Sequence, residues 1–158
     1  ASKGNIFVAD THGGQFQEQS GPTDKSRISI YAPEGSFIKA MGEWGFKDGR
    51  FSWPNSLAMD SQGRLFVADR GNNRIQIFDQ DGNHQDTWYQ FSRISGLFID
   101  KSTDMLYAID SESDPNYNPG GWRKGLRVGS AKTGEVMYFI PEHVSERASG
   151  MGGTGSMG

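Results

Sequence analysis

The stretch Gly63-Arg-Leu-Phe-Val-Ala-Asp-Arg-Gly-Asn-Asn-Arg-Ile-Gln-Ile-Phe-Asp-Gln-Asp-Gly82 reads as two strands and two turns. Leu65 to Ala68 is a short apolar run suited to a strand buried on both faces, and Arg74 to Phe78 alternates polar and apolar residues as a half-buried strand does. Asp69-Arg-Gly-Asn-Asn73 between them is turn chemistry, because Gly and Asn tolerate positive φ and Asp or Asn side chains bond nearby backbone.

The unit recurs. Gly4-Asn-Ile-Phe-Val-Ala-Asp10 and Asp104-Met-Leu-Tyr-Ala-Ile-Asp110 align with Gly63 to Asp69. Arg27-Ile-Ser-Ile-Tyr31 and Leu126-Arg-Val128 align with the strand at Arg74 to Phe78, and Gly35, Gly82 and Gly134 follow the three. Phe51-Ser-Trp-Pro-Asn-Ser-Leu-Ala-Met-Asp60 is repeated as Phe91-Ser-Arg-Ile-Ser-Gly-Leu-Phe-Ile-Asp100. The whole unit takes roughly 40 to 50 residues, the length of a four-stranded propeller blade. The expected fold is therefore all-β, a β-propeller of four-stranded antiparallel blades. About three are present, at 1–41, 50–90 and 91–140, ahead of a Gly-rich tail or linker at 141–158. The first unit lacks its opening strand and carries an insertion from Thr11 to Ser26; the third carries one from Ser111 to Lys124. Both insertions fall between the second and third strands of a blade. They emerge on one face, where function is expected.

Phe51 to Asp60 followed by Gly63 to Phe78 closely resembles the NHL repeat, whose pattern runs roughly Pro, Leu-Ala-x-Asp, Gly, Val-Ala-Asp, Asn-x-Arg-Ile. The resemblance is close over one blade and loose over about three. It implies a ring of the six-bladed kind, of which this chain supplies about half. An open array leaves two blade faces uncovered. The remaining blades are expected outside this sequence, or in a second copy that closes the ring.

Composition agrees with many short strands: Gly is abundant at 22 residues, and no apolar run is long enough to span a membrane. A net charge of −3 gives no general attraction to phosphate backbones, so the expected partner is a small molecule, peptide or protein rather than nucleic acid or a membrane. The absence of Cys excludes disulfides and thiolate metal sites. A start at Ala1, in the approach to a strand, reads as a processed or partial chain. The resemblance and the lack of Cys fit an exported bacterial protein, periplasmic or extracellular.

Candidate site residues lie in and around the insertions. His12, beside Gly13 and Gly14, is a candidate zinc ligand or proton carrier, set against a solvated loop residue. His84 and His143 form no cluster with it by spacing. Asp110, Glu112 and Asp114 alternate as the start of a calcium loop does, but Pro115 stands where a sharp-turn Gly belongs. Tyr117, Trp122, Arg123 and Arg127 read equally as a carboxylate-binding pocket or as a loop pinned by Trp122 with its acids neutralised by the two Arg residues. Asp10, Asp69 and Asp110 admit a shared cation, but Asp69 with Arg74 reads better as a turn-fixing pair. NHL-like amidating lyases hold zinc through His residues after Pro; the resemblance places Asn55 and Ser95 at those positions. The two are expected to hydrogen-bond a ligand at the axis. The reading is thus a ligand- or partner-binding scaffold, with a calcium- or zinc-dependent propeller enzyme, amidating lyase-like or lactonase-like, as the alternative.

Overall fold

The computed structural model describes residues 4–11, 25–114 and 121–143. They form three antiparallel sheets. The first contains β1 (Ile6–Asp10), β2 (Arg27–Tyr31) and β3 (Phe37–Met41). The second contains β4 (Pro54–Met59), β5 (Leu65–Asp69), β6 (Arg74–Phe78) and β7 (His84–Trp88), and the third β8 (Gly96–Asp100), β9 (Met105–Asp110), β10 (Gly125–Ser130) and β11 (Val136–Pro141). Each strand pairs with the next in sequence, as in a propeller blade. Among the described residues no helix is long and apolar enough to cross a membrane.

The repeat shows in the register as well as in the strand order. Asp10 pairs with Arg27, Asp69 with Arg74, and Asp110 with Gly125. The pairing of the last two strands slips by one residue at Ile30/Tyr31, Ile77/Phe78 and Val128/Gly129, which are equivalent positions. A bulge increases local twist, so each sheet bends at the same level.

Two cores stack the sheets. Ile28, Phe51, Leu65, Val67 and Phe78 fill the space between the first and second. Phe66, Ala68, Ile75, Ile77 and Trp88 meet Phe91, Ile94, Ile99, Leu106 and Ala108 between the second and third. The middle sheet is therefore apolar on both sides, which is why β5 is buried along its whole length. β6 is buried throughout as well, not half-buried as its alternation predicts. Arg74 and Gln76 face the loop before β4 and satisfy its backbone. Arg74 donates to the carbonyls of Lys47 and Arg50, and Gln76 donates to Arg50 O while accepting from Gly49 N.

The two outer faces of the stack remain exposed. Ile6, Val8 and Ile38 lie open on the first sheet. On the third, Phe98 is 62% and Tyr138 65% exposed, beside exposed Ile109 and Ile140. Several large apolar side chains exposed on one sheet face mark a surface that normally has a neighbour.

Candidate functional site

β4 lies beside β8, and β1 beside β4, so the first strand of each complete sheet sits on the axis side of the stack. The β5–β6 and β9–β10 connections and the start of β4 all fall at one end of it, together with the β7–β8 connection. Turn chemistry fixes that end. The chain leaves β5 through a short 3-10 turn, Arg70–Asn72, closed by Asn73 at φ 53°. Gly71 packs so closely that a Cβ there would lie 2.3 Å from Ser52 Oγ, and its N–H donates to Ser52 O at 2.7 Å.

Asp69 is the hub of this end. It is fully buried and accepts from Ser52 N at 2.7 Å, Asn72 Nδ2 at 2.8 Å, Arg74 Nε at 2.7 Å and Gln76 Nε2 at 3.0 Å. Burial pushes its carboxyl up, against the Ser52 N–H and Arg74, which hold it down. The pair is a turn-fixing device, and its counterpart Arg27 Nε–Asp10 Oδ2, at 2.8 Å, sits in a more exposed setting.

In the third sheet the arginine has moved. Gly125 occupies the place of Arg74, and Arg127 that of Gln76. Arg127 Nη1 stands 3.7 Å from Asp110 Oδ2, while Ser92 Oγ and Ser113 Oγ donate to Asp110 more closely. The Arg127 guanidinium lies 5.1 Å from the Trp122 ring centroid and 4.6 Å from that of Phe139, and Nη2 donates to Arg123 O. Burial pulls its pKa down, and the Asp110 charge pulls it back up. Arg123 lies over the other aromatic partner, 5.8 Å from Phe139.

Two of the three acids that alternate as in a calcium loop, Asp110 and Glu112, make separate contacts. Asp110 caps the loop through the N–H groups of Glu112 and Ser113. Glu112 bridges the second and third sheets, accepting from Arg70 Nη1 at 2.8 Å and Arg93 Nε at 3.1 Å. Arg93 also donates to Arg70 O. The Arg70 pKa is lowered by burial, raised by Glu112 and lowered again by Arg93. Among the described residues no three His, Cys, Asp or Glu side chains converge as a metal-binding set. His12 and Tyr117 lie outside the described residues, as do residues 12–24 of the first insertion, 115–120 of the second and the tail beyond 143.

Asn55 and Ser95 do come together, at the axis side of the same end. Asn55 Nδ2 donates to Ser95 O at 2.8 Å, and Ser95 Oγ is 2.6 Å from Ser111 Oγ. All three are at least partly exposed. Just below, Leu97 N donates to Ser56 Oγ. The result is a neutral, hydrogen-bonding rim on rigid strand ends, with the Arg70–Glu112–Arg93 bridge behind it. Ser111, Arg70 and Arg93 were missed by the sequence reading. Ser111 carries no signal beyond its place after Asp110, and the two arginines acquire a role only when the sheets pack.

Residues 51–78 match the NHL repeat. The chain is similar to NHL repeat-containing protein 3 of Homo sapiens, 36% identical over 78 residues that cover 49% of this chain and 20% of that protein. It is similar to peptidyl-glycine alpha-amidating monooxygenase A of Xenopus laevis, 41% identical over 146 residues that cover 87% of this chain and 14% of that protein. E3 ubiquitin-protein ligase TRIM32 of Homo sapiens is 45% identical over 65 residues, 41% of this chain and 9% of its own length. The chain thus spans a fifth or less of these relatives. Among solved structures, U3-55K superposes with a TM-score of 0.57 at 21% identity, over 74% of this chain and 33% of that one. The WD40 repeats of RRP9 give 0.56 at 20% identity, over the same shares. The three sheets are arranged as propeller blades, and residues 51–78, from the approach to β4 through β6 of the middle one, match the NHL repeat.

Proposed function

We propose that this chain is part of a binding propeller that takes a peptide or small polar ligand at the axis end of its loop-bearing face, the ring being completed by further blades of the same protein or by a second copy. The observation that carries this is the rim of Asn55, Ser95 and Ser111 where β4 and β8 meet. A primary amide both donates and accepts, as a peptide bond does, and hydroxyls do the same. Groups of this kind on strand ends recognise polar, uncharged chain atoms with little reorganisation. The similarity to proteins named for peptidyl-glycine and for NHL repeats supports a peptide or protein as the partner.

A metal-dependent enzyme is the second reading, favoured by the 41% identity that runs over 87% of this chain. The rim does not fit zinc. Zinc prefers imidazole nitrogen and thiolate sulfur, whereas Asn55, Ser95 and Ser111 offer only neutral oxygens and an amide nitrogen with no lone pair to give.

Isothermal titration with a glycine-extended peptide tests the binding reading, using the parent chain, Asn55→Ala and Ser95→Ala. Loss of one hydrogen bond is expected to weaken binding by about 3- to 10-fold in each variant. Unchanged affinity in both overturns the placement. Release of an amidated product from the peptide's α-hydroxyglycine form would select the enzyme reading instead.

A further inference from the structure

A cavity of about 440 Å³ lies away from the rim, between the start of β2 and the loop that leads from β3 to β4. Lys25, Ser26, Arg27, Gly42, Glu43, Trp44 and Arg50 line it. Its volume is in the range of small-molecule sites.

Two observations point to a ligand. The first is a pair of buried polar atoms without hydrogen-bond partners: Ser26 Oγ, on a residue 1% exposed, and Trp44 Nε1. A buried group left unpaired costs about 1–3 kcal/mol, so each of these two lining residues carries a polar atom that gains from a partner. An indole N–H can only donate, which requires the entering atom to be an acceptor. The second is charge. Lys25, Arg27 and Arg50 bring three cations to a lining with one acid, Glu43, in a chain whose net charge is −3. Arg50 Nη2 holds Glu43 at 2.8 Å and Arg27 Nε holds Asp10 at 2.8 Å. Each guanidinium carries five N–H donors, so one carboxylate contact leaves others to serve a second anion.

We propose that this cavity binds the oxyanion of a small molecule, a carboxylate or a phosphate group, with Ser26 and Trp44 donating to it and Lys25, Arg27 and Arg50 supplying the charge. Sequence patterning does not mark the site. Lys25 and Ser26 close one of the insertions, and Trp44 and Arg50 belong to a loop whose glycines read as a connection.

Nuclear magnetic resonance of the ¹⁵N-labelled chain tests it, following the indole N–H signals while citrate or inorganic phosphate is added at constant ionic strength. The Trp44 signal is assigned by its loss in Trp44→Phe. Trp88, whose Nε1 already donates to Asp86 Oδ2, is the internal reference. The expected result is a saturable shift of the Trp44 signal with at least one anion and no comparable shift of Trp88. Ser26→Ala is expected to weaken the midpoint about 10-fold, as for a lost hydrogen bond to a charged group. Saturation by citrate alone assigns the site to carboxylates; saturation by phosphate alone assigns it to phosphates. A Trp44 signal that neither anion moves, or that chloride moves equally, overturns the proposal. Should Ser26→Ala fail to fold, Lys25→Gln replaces it, and an unaltered midpoint in that variant counts against the charge argument.

Discussion

Replacing Asp69 with Ala should be far more damaging than the same change at Asp10, although both aspartates end the same strand of a blade and hold an arginine. Asp69 is fully buried and receives four hydrogen bonds, and its partner Arg74 has a side chain only 3% exposed. Asp69→Ala leaves that guanidinium inside the protein with the carbonyls of Lys47 and Arg50 but without its buried countercharge. Breaking a buried pair in this way costs about 3–5 kcal/mol. Against a total stability of about 5–15 kcal/mol for a domain, that is a large share. Asp10 and Arg27 are 26% and 43% exposed, where water screens the pair, and Asp10→Ala should cost about 0–1 kcal/mol. In urea, with a slope of about 2 kcal/mol per molar, the midpoint should fall by about 1.5–2.5 M for Asp69→Ala and by about 0.5 M or less for Asp10→Ala. Tryptophan fluorescence reads the transition, since Trp88 is packed in the core between the second and third blades. Burial pushes the Asp69 carboxyl up even with its donors in place. The wild-type pair therefore already bears a desolvation cost, and Asp69→Ala combined with Arg74→Met should recover part of the loss. Equal midpoints for the two aspartate variants, or a double variant as damaged as the sum of its parts, would refute this reasoning.

Gly71→Ala should cost about 1–3 kcal/mol, read from the same urea titration, because its methyl group would meet Ser52 Oγ and Ser52 O at 2.3 and 2.6 Å. The Asp104 carboxyl, held by Ser61 Oγ and Ser61 N across the blade boundary and favoured by Lys132, lies below its ordinary value of 3.8. A lowered folded value means that its contribution is complete above that ordinary value and is lost as pH falls below it. Melting temperature followed through acid should therefore drop less steeply in Asp104→Asn than in the parent; parallel curves would remove Asp104 from the account.

What could be read from the residues was local and repeated. The Val-Ala-Asp ends of β1 and β5 and the glycines after each third strand recur, and in the middle blade Arg74 lies only five residues from the Asp69 it pairs with, whereas Arg27 meets Asp10 across 17. Strand order and blade stacking followed from them. The pairing of Asn55 with Ser95 was legible only as two equivalent positions, since the hydrogen bond itself needs two blades side by side. Long-range polar links were not legible. Glu112 meets Arg70 and Arg93 at sequence separations of 42 and 19, and Ser61 meets Asp104 at 43, because the twist between blades, not any local pattern, brings them together. Burial of Gln76 was hidden for the same reason: besides Asp69, it bonds backbone atoms of a loop some 26 residues earlier. In the third blade, the shift of the arginine to Arg127 broke the local pattern, and its place between Trp122 and Phe139 could not be foreseen from spacing.

Mass in solution puts the most direct question to the propeller account. With Ile6, Val8 and Ile38 exposed on one end face and Phe98, Ile109, Tyr138 and Ile140 on the other, the 17.4 kDa chain should associate through these faces. Sedimentation equilibrium is expected to give at least twice the chain mass, and Phe98→Glu with Tyr138→Lys to return it toward the monomer. A well-behaved monomer of 17.4 kDa, unchanged by those substitutions, would contradict the claim that these are blade faces made to be covered.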